Sequence, residues 1–125
     1  MKLFVFLLLY SGVFAFSIES SYEAAHKKAL QEEKLLLVFL SKKGLSGASE
    51  KLQMLLESKK LSDAIEKKAL FVIIYKDQRE SYPIELLYTQ EYPTLFFLNH
   101  KELFACEAQR RDIDKEALLE CLETE

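Results

Sequence analysis

Two cysteines, Cys106 and Cys121, are the side chains of this sequence best suited to covalent chemistry, because a thiolate is both a nucleophile and a metal ligand. They lie 15 positions apart. Thiols that exchange disulfides commonly sit in a Cys-X-X-Cys motif at the N-terminus of a helix, where the thiol pKa is lowered. The pair therefore admits three interpretations: a structural disulfide, two buried free thiols, or a redox-active pair.

Other residue types give no pattern for a catalytic, metal or cofactor site. His26 and His100 stand far apart, with no cysteine or carboxylate at the spacing of a zinc site. The three glycines cannot form a phosphate-binding loop. Ser46 lacks the strand-to-helix frame of a nucleophilic serine, and we expect it to cap the helix that follows.

Composition indicates one globular domain without a nucleic-acid partner. The chain has 125 residues, of which 17 are basic and 20 acidic. Its lysines occur as scattered pairs interleaved with glutamate, as at Lys42-Lys43 and Lys67-Lys68. Such pairs are typical of solvated helix faces and loop ends, whereas a nucleic-acid interface needs a continuous basic stripe.

The N-terminus has the three zones of a secretory signal peptide: Lys2, the apolar run 3–10, and the small-residue stretch that ends at Ala15. Cleavage after Ala15 leaves a domain over residues 16–125. The apolar run is shorter than the roughly 20 residues of a transmembrane helix. The alternative is an uncleaved anchor that holds the same domain on the outer face of the membrane. We therefore expect a periplasmic or secreted bacterial protein with no membrane span after cleavage.

The first half of the remaining chain alternates helices with apolar runs. Ser20 and Glu23 have the spacing of a capping box, followed by helical periodicity to about Glu33. Two runs rich in apolar residues have the length and composition of strands buried on both faces, and two helices separate them. The runs are 35–40 and 70–75, and the helices begin at Ala48 and Leu61.

The second half predicts a short helix, a hairpin and a closing helix. One or two helical turns are expected over 84–88, after Pro83. Strands over 94–98 and 102–106 flank the turn 99–101, and a helix runs from about Asp112 to Glu123. The predicted order is α-βαβ-α-ββα, which gives an α/β fold with a mixed four-stranded sheet and flanking helices.

Three features together resemble the thioredoxin-like family. They are the element order, the segment 37–44 (LVFLSKKG), and the segment 91–98 (EYPTLFFL). The segment 37–44 is similar to the strand and loop that lead into the active-site helix of exported members. The segment 91–98 is similar to the family's cis-proline segment, so the Tyr92–Pro93 peptide bond is predicted to be cis. The resemblance covers roughly residues 20–123 and implies a thioredoxin-like fold.

The family's Cys-X-X-Cys motif falls on Leu45-Ser46-Gly47-Ala48, with Leu45 at the attacking and Ala48 at the resolving position. Neither side chain carries sulfur, and thiol–disulfide exchange requires a thiolate. The N-terminus of the helix that follows still presents free backbone N–H groups and a partial positive charge. The resemblance therefore implies the site's backbone without its chemistry.

Pro93 has two interpretations. In the family, the cis-proline segment helps to hold the backbone of a substrate peptide, whereas the alternative is that Pro93 only shapes the turn into its strand. Four tyrosines lie nearby in sequence. They either pack over the sheet with their hydroxyls at its rim, or form an aromatic groove near Pro93 and Leu45. The tyrosines are Tyr75, Tyr82, Tyr88 and Tyr92.

In this fold the strand that carries Cys106 lies next to the helix that carries Cys121, so a Cys106–Cys121 disulfide is possible. Period-two alternation predicts that Phe104 and Cys106 share one sheet face, and helical periodicity turns Cys121 inward beside Ala117. An exported chain meets an oxidising compartment, where disulfides persist. A loop of this length would stabilise the fold by about 3 kcal/mol.

These observations favour a non-catalytic module that binds a protein or peptide partner, and not an enzyme. The predicted contact residues are Leu45, Ser46, Gly47, Tyr92 and Pro93. The alternative is a thiol oxidoreductase or redox accessory protein that works through Cys106 and Cys121. A structural subunit of an envelope assembly is the third hypothesis. The partner's identity and the oligomeric state are left open.

Overall fold

The computed structural model describes residues 17–19, 21–45, 47–76, 82–83 and 85–124. The predicted signal peptide, residues 1–15, and Ser46 lie outside the described residues. No helix within those ranges is long and apolar enough to cross a membrane.

Five strands and four helices make up the described part of the chain. In chain order they are β1 (Ile18–Glu19), α1 (Tyr22–Glu32), β2 (Leu35–Ser41), α2 (Ala48–Glu57), α3 (Lys59–Lys68), β3 (Ala69–Tyr75), β4 (Thr94–Leu98), β5 (Phe104–Arg110) and α4 (Lys115–Thr124).

The strands form one mixed sheet in the order β1-β3-β2-β4-β5. Strand β3 is parallel to both β1 and β2, whereas β4 is antiparallel to β2 and β5 is antiparallel to β4. The α/β class and mixed sheet are confirmed, but the sheet has five strands and not the predicted four. The additional strand, β1, has two residues, which is too short to produce a recognisable hydrophobic pattern.

The core lies on both faces of the sheet, because β2 is buried along its whole length. Side chains of α1 pack on one face against Leu36, Val38 and Leu40. Side chains of α2, α3 and α4 pack on the other face against Leu37 and Phe39. The continuous apolar run therefore reflects a strand that is covered on both sides.

Serine side chains cap two of the helices. Ser21, and not the predicted Ser20, is the N-cap of α1, and its Oγ accepts a hydrogen bond from the Ala24 amide at 3.3 Å. Ser58 caps α3 in the same way through the Leu61 amide at 3.4 Å. These bonds satisfy amides that lack an intrahelical partner.

The second strand of the hairpin and the closing helix begin later than predicted. Strand β5 starts at Phe104, because Oδ1 of Asn99 accepts hydrogen bonds from the amides of Lys101 and Leu103 and extends the turn. Helix α4 starts at Lys115, after Asp114 accepts bonds from two amides of its first turn. Ala117 was predicted to face inward but is exposed.

The predicted helix over 84–88 is a turn in its described residues. Residues 85–87 are turn residues, and the Leu87 amide donates to the Pro83 carbonyl at 3.0 Å. Ile84 lies outside the described residues. Leu87 is nevertheless buried against the face of the sheet that α1 covers.

A hydrogen bond joins α1 to the hairpin connection. The Tyr22 hydroxyl donates to Oε2 of Glu102 at 2.7 Å, and Nε2 of His26 lies 3.7 Å from Oε1 of the same carboxylate. Burial, the hydrogen bond to Glu102 and the negative charge of Glu102 all raise the pKa of the Tyr22 hydroxyl.

Replacing Tyr22 by phenylalanine should lower the free energy of unfolding by about 1 to 2 kcal/mol at neutral pH, because the hydrogen bond to a carboxylate is lost. Above about pH 10 the unfolded tyrosine releases a proton that the folded one keeps, so stability falls as pH rises. Denaturant titrations from neutral to alkaline pH should show that the free energy of unfolding declines less steeply with pH in Tyr22→Phe than in wild type. A control, Tyr88→Phe at an exposed side chain, should behave as wild type. An unchanged alkaline slope in Tyr22→Phe would contradict this assignment.

Candidate functional site

Cys106 and Cys121 are bonded to each other, which confirms the predicted disulfide bond. The bond joins edge strand β5 to helix α4, with the two Cα atoms 6.2 Å apart. Cys121 is buried, whereas Cys106 is half-buried. The disulfide therefore fixes the closing helix α4 to the edge strand β5.

The predicted face-sharing of Phe104 and Cys106 is wrong. The register of β5 against β4 shifts between Phe97 and Leu98, so that Phe97 pairs with Cys106 and Leu98 with Phe104. Phe104 lies on the α1 side, where its ring is 6.3 Å from that of Phe96, and Cys106 lies on the α4 side. The shift interrupts the alternation on which the prediction relied.

The surroundings of the disulfide do not favour a thiolate. A cleft of about 230 Å³ beside it is bordered by the carboxylate residues Glu107 and Glu120. Cys121 lies in the C-terminal half of α4, away from the positive end of that helix. Reactive thiols are instead found near cations or helix N-termini.

Leu45 and Gly47 lie at the N-terminus of α2. The N-cap is Gly47, and not the predicted Ser46, and Gly47 makes no side-chain capping hydrogen bond. Leu45 is half-buried and borders a cavity of about 210 Å³ together with Ala48 and Lys42. The first turn of α2 therefore begins beside an apolar side chain where the resemblance places a reactive cysteine.

The segment before β4 carries Tyr92 and Pro93. The peptide bond between them is cis, as the sequence predicts, and Pro93 is buried. The Tyr92 hydroxyl donates to the Thr89 carbonyl at 3.1 Å. The side chain of buried Thr94 lies 3.1 Å from the Thr89 hydroxyl and donates to the Glu91 carbonyl. These bonds fix the loop from which Tyr92 projects.

Arg111 joins this segment to α2. Its amide donates to the Pro93 carbonyl at 2.7 Å, and its guanidinium forms an ion pair with Glu91 at 2.7 Å. Its own carbonyl accepts a hydrogen bond from Nζ of Lys51 on α2. Sequence reasoning gave no role to Arg111, because the three partners are distant along the chain.

One surface of the molecule, at the edge of the sheet where β2 and β3 end and β4 begins, carries four of the predicted contact residues, and we call it the candidate face. They are Leu45, Gly47, Tyr92 and Pro93. Leu40 of β2 pairs with Thr94, which places Pro93 beside the end of β2. Leu45 and Tyr92 border two different cavities that share Lys42 as a lining residue. No hydrogen bond between described residues joins Leu45 to Tyr92 or Pro93. Ser46, the fifth predicted contact residue, is outside the described part.

Two lysines at this edge were not predicted as site residues. The ammonium groups of Lys42 and Lys76 lie 5.6 Å and 5.9 Å from the centroid of the Tyr92 ring. The Lys76 amide donates to the Ser41 carbonyl at 2.8 Å, so the ends of β2 and β3 adjoin. A sequence signal existed, because each lysine follows a parallel strand and the carboxyl ends of parallel strands meet at one edge.

Solved structures of redox proteins share this architecture. A putative disulphide-isomerase from Bacteroides thetaiotaomicron superposes with a TM-score of 0.68 at 20% identity, over 87% of this chain and 89% of that chain. A DsbH oxidoreductase gives 0.63 at 13% identity, over 89% of both chains. A thioredoxin from Thermus thermophilus gives 0.62 at 13% identity, over 88% of this chain and 86% of that chain.

The fold of this chain is therefore thioredoxin-like, which confirms the fold that the sequence resemblance implied. No family model and no curated protein matches the sequence.

Removing the disulfide with Cys106→Ser and Cys121→Ser should lower the free energy of unfolding by about 3 kcal/mol, because the unfolded chain regains the freedom of the closed loop. Thermal denaturation with and without a reductant measures this effect. The wild-type melting temperature should fall when reductant is added, whereas that of the double variant should not respond. Equal melting temperatures for wild type and double variant without reductant would contradict a stabilising bond.

Replacing Gly47 by alanine should destabilise the fold by about 1 to 2 kcal/mol, because Gly47 has φ of 84° and an L-residue is strained there. An added Cβ would meet nothing closer than Oε2 of Glu50 at 4.0 Å, so the cost comes from the backbone alone. Equilibrium unfolding measures it. Gly47→Asn is the matched control and should lose less stability, because asparagine tolerates this conformation better than alanine.

Proposed function

We propose that this chain is a non-catalytic thioredoxin-like protein of the bacterial envelope, which binds an extended segment of a protein partner through the candidate face. The observation that carries the proposal is the pair Leu45 and Ala48 at the N-terminus of α2. By the sequence resemblance, an apolar, half-buried leucine stands at the position at which a redox member of the fold needs a nucleophilic sulfur.

The chain's sulfur atoms cannot supply that nucleophile from where they are. Cys106 and Cys121 are bonded to each other, and they lie on β5 and α4. A thiol–disulfide exchange at the candidate face has no attacking thiolate and no resolving thiol. Thiol–disulfide exchange is therefore not the chemistry that we expect at this face, and we propose non-covalent binding instead.

Backbone donors and an apolar surface are what the candidate face offers to a partner. We expect the first amides of α2 to donate to a carbonyl oxygen of a bound segment, because Gly47 offers them no side-chain cap. Leu45 and Tyr92 are each half-buried; Leu45 supplies apolar area next to those donors, and Tyr92 supplies it from the segment before β4. The fixed loop around Thr89 and Thr94 reduces the ordering cost of binding.

The alternative function is thiol oxidoreduction, or a redox accessory role, through Cys106 and Cys121. Two observations favour it: the disulfide itself, and the fold shared with a DsbH oxidoreductase and a putative disulphide-isomerase. The burial of Cys121 and the carboxylates of Glu107 and Glu120 beside the bond weigh against it.

A crosslinking pull-down from envelope extracts tests the proposed function. Wild type is compared with Leu45→Asp, which places a charge on the candidate face, and with Leu103→Asp. Leu103 is an exposed leucine on the hairpin connection and provides the matched control. Leu45→Asp should lose most of the captured partner, by about tenfold or more, whereas Leu103→Asp should retain it. Recovery of the same partners with Leu45→Asp would exclude the candidate face, provided that circular dichroism shows both variants folded.

Reduction of insulin disulfides distinguishes the two functions. The wild-type chain should show no activity above that of the Cys106→Ser, Cys121→Ser variant. Activity above that control would establish the redox alternative.

A further inference from the structure

We propose that the candidate face selects partner segments that carry aspartate or glutamate side chains, through the ammonium groups of Lys42 and Lys76. This inference rests on the proposed function and specifies the chemistry of its partner. It comes from the charges around Tyr92, which the sequence alone did not bring together.

Two cations converge on one aromatic ring. Nζ of Lys42 lies 5.6 Å and Nζ of Lys76 lies 5.9 Å from the centroid of the Tyr92 ring. Both distances are within the range of a cation–π contact, which holds an ammonium group near the ring. The two ammonium groups therefore lie close to the same aromatic ring.

No described carboxylate neutralises these two lysines, although several carboxylates are nearby in sequence. Glu91 is paired with Arg111 at 2.7 Å, and Asp112 lies 3.9 Å from Nζ of Lys51. Among ion pairs between described residues, none includes Lys42 or Lys76. The described residues around Tyr92 thus carry two positive charges without an ion-pair partner among them, on a chain whose net charge is −3.

The cleft beside these lysines is large enough for a short acidic side chain and its neighbours. It measures about 440 Å³, and its lining includes Leu40, Leu87, Tyr82, Tyr88 and Tyr92 together with the two lysines. Leu40 and Leu87 are buried, which makes part of the lining apolar, whereas Lys42, Lys76 and Tyr88 are exposed. An aspartate or glutamate among apolar residues matches this combination.

A protein segment fits better than a polyanion. A nucleic acid requires a longer basic surface, and the neighbouring charges of Glu91 and Arg111 already cancel each other. Exposed ion pairs contribute modestly, so two of them should give selectivity of about fivefold to tenfold. The same pairs should weaken as salt is added.

A phage-displayed library of linear peptides is the probe for this inference. Selection is carried out on wild type, on the charge-removing variant Lys42→Gln with Lys76→Gln, and on Leu45→Asp. The matched control is Lys27→Gln with Lys28→Gln, which removes two exposed positive charges from α1. Wild type and this control should enrich peptides with aspartate and glutamate severalfold over the unselected library, whereas the variant at 42 and 76 should enrich peptides without that bias.

Affinity measurements then quantify the selectivity. Fluorescence anisotropy compares an enriched peptide with its counterpart in which every carboxylate is replaced by the amide. The acidic peptide should bind wild type about fivefold to tenfold more tightly, and the difference should disappear in Lys42→Gln with Lys76→Gln and at high salt.

The outcomes separate the two proposals. If wild type enriches peptides without an acidic bias and Leu45→Asp does not enrich them, the inferred selectivity for acidic segments is wrong, whereas the proposed function stands. If wild type enriches no more peptides than Leu45→Asp does, both are overturned.

Discussion

The burial of β2 on both faces is the constraint on which the rest of this structure depends. Each of its seven residues, from Leu35 to Ser41, is buried, and both of its edges are paired, to β3 and to β4. Such a strand is stable only if helices cover both faces, because exposed apolar area on either side would favour unfolding or aggregation. Helix α1 covers one face, and helices α2, α3 and α4 cover the other. Without β2 neither cluster of core residues would have a surface to pack against.

The position of the candidate face follows from the same strand. The chain leaves β2 at Ser41, whose carbonyl binds the Lys76 amide at the end of β3, and Thr94 at the start of β4 pairs with Leu40. Three segments that are far apart in sequence therefore reach one edge of the sheet. Arg111 then ties the Pro93 segment to α2 through its backbone and its side chain. A change in the register of β2 would therefore move all of these groups apart at once.

Sulfur and the candidate face occupy different parts of the fold. The disulfide joins β5 to α4, whereas the N-terminus of α2, where a thiolate would be stabilised, carries Leu45 and Ala48. On the proposed function, one end of the domain provides covalent stability and another provides binding. If that function is right, the candidate face is free to differ in charge and shape from a redox site, since no sulfur chemistry would have to be preserved there. Lys42 and Lys76 lie beside Tyr92 on this face.

The sequence by itself determined the α/β class, the two buried parallel strands and the order of the main helices, because each leaves a local pattern, whereas it left the state of the two cysteines open. The run of apolar residues in β2 and β3 has one economical explanation, a strand covered on both faces. Two cysteines in adjacent elements allow a single intramolecular disulfide. What tertiary structure alone decided depends on contacts between distant residues or on single-residue shifts. These include the two-residue β1, the register shift that separates Phe104 from Cys106, the Tyr22–Glu102 hydrogen bond, and the convergence of Lys42 and Lys76 on Tyr92. The physical reason is that periodicity reports which face of an element is buried, but carries no information on what lies opposite that face.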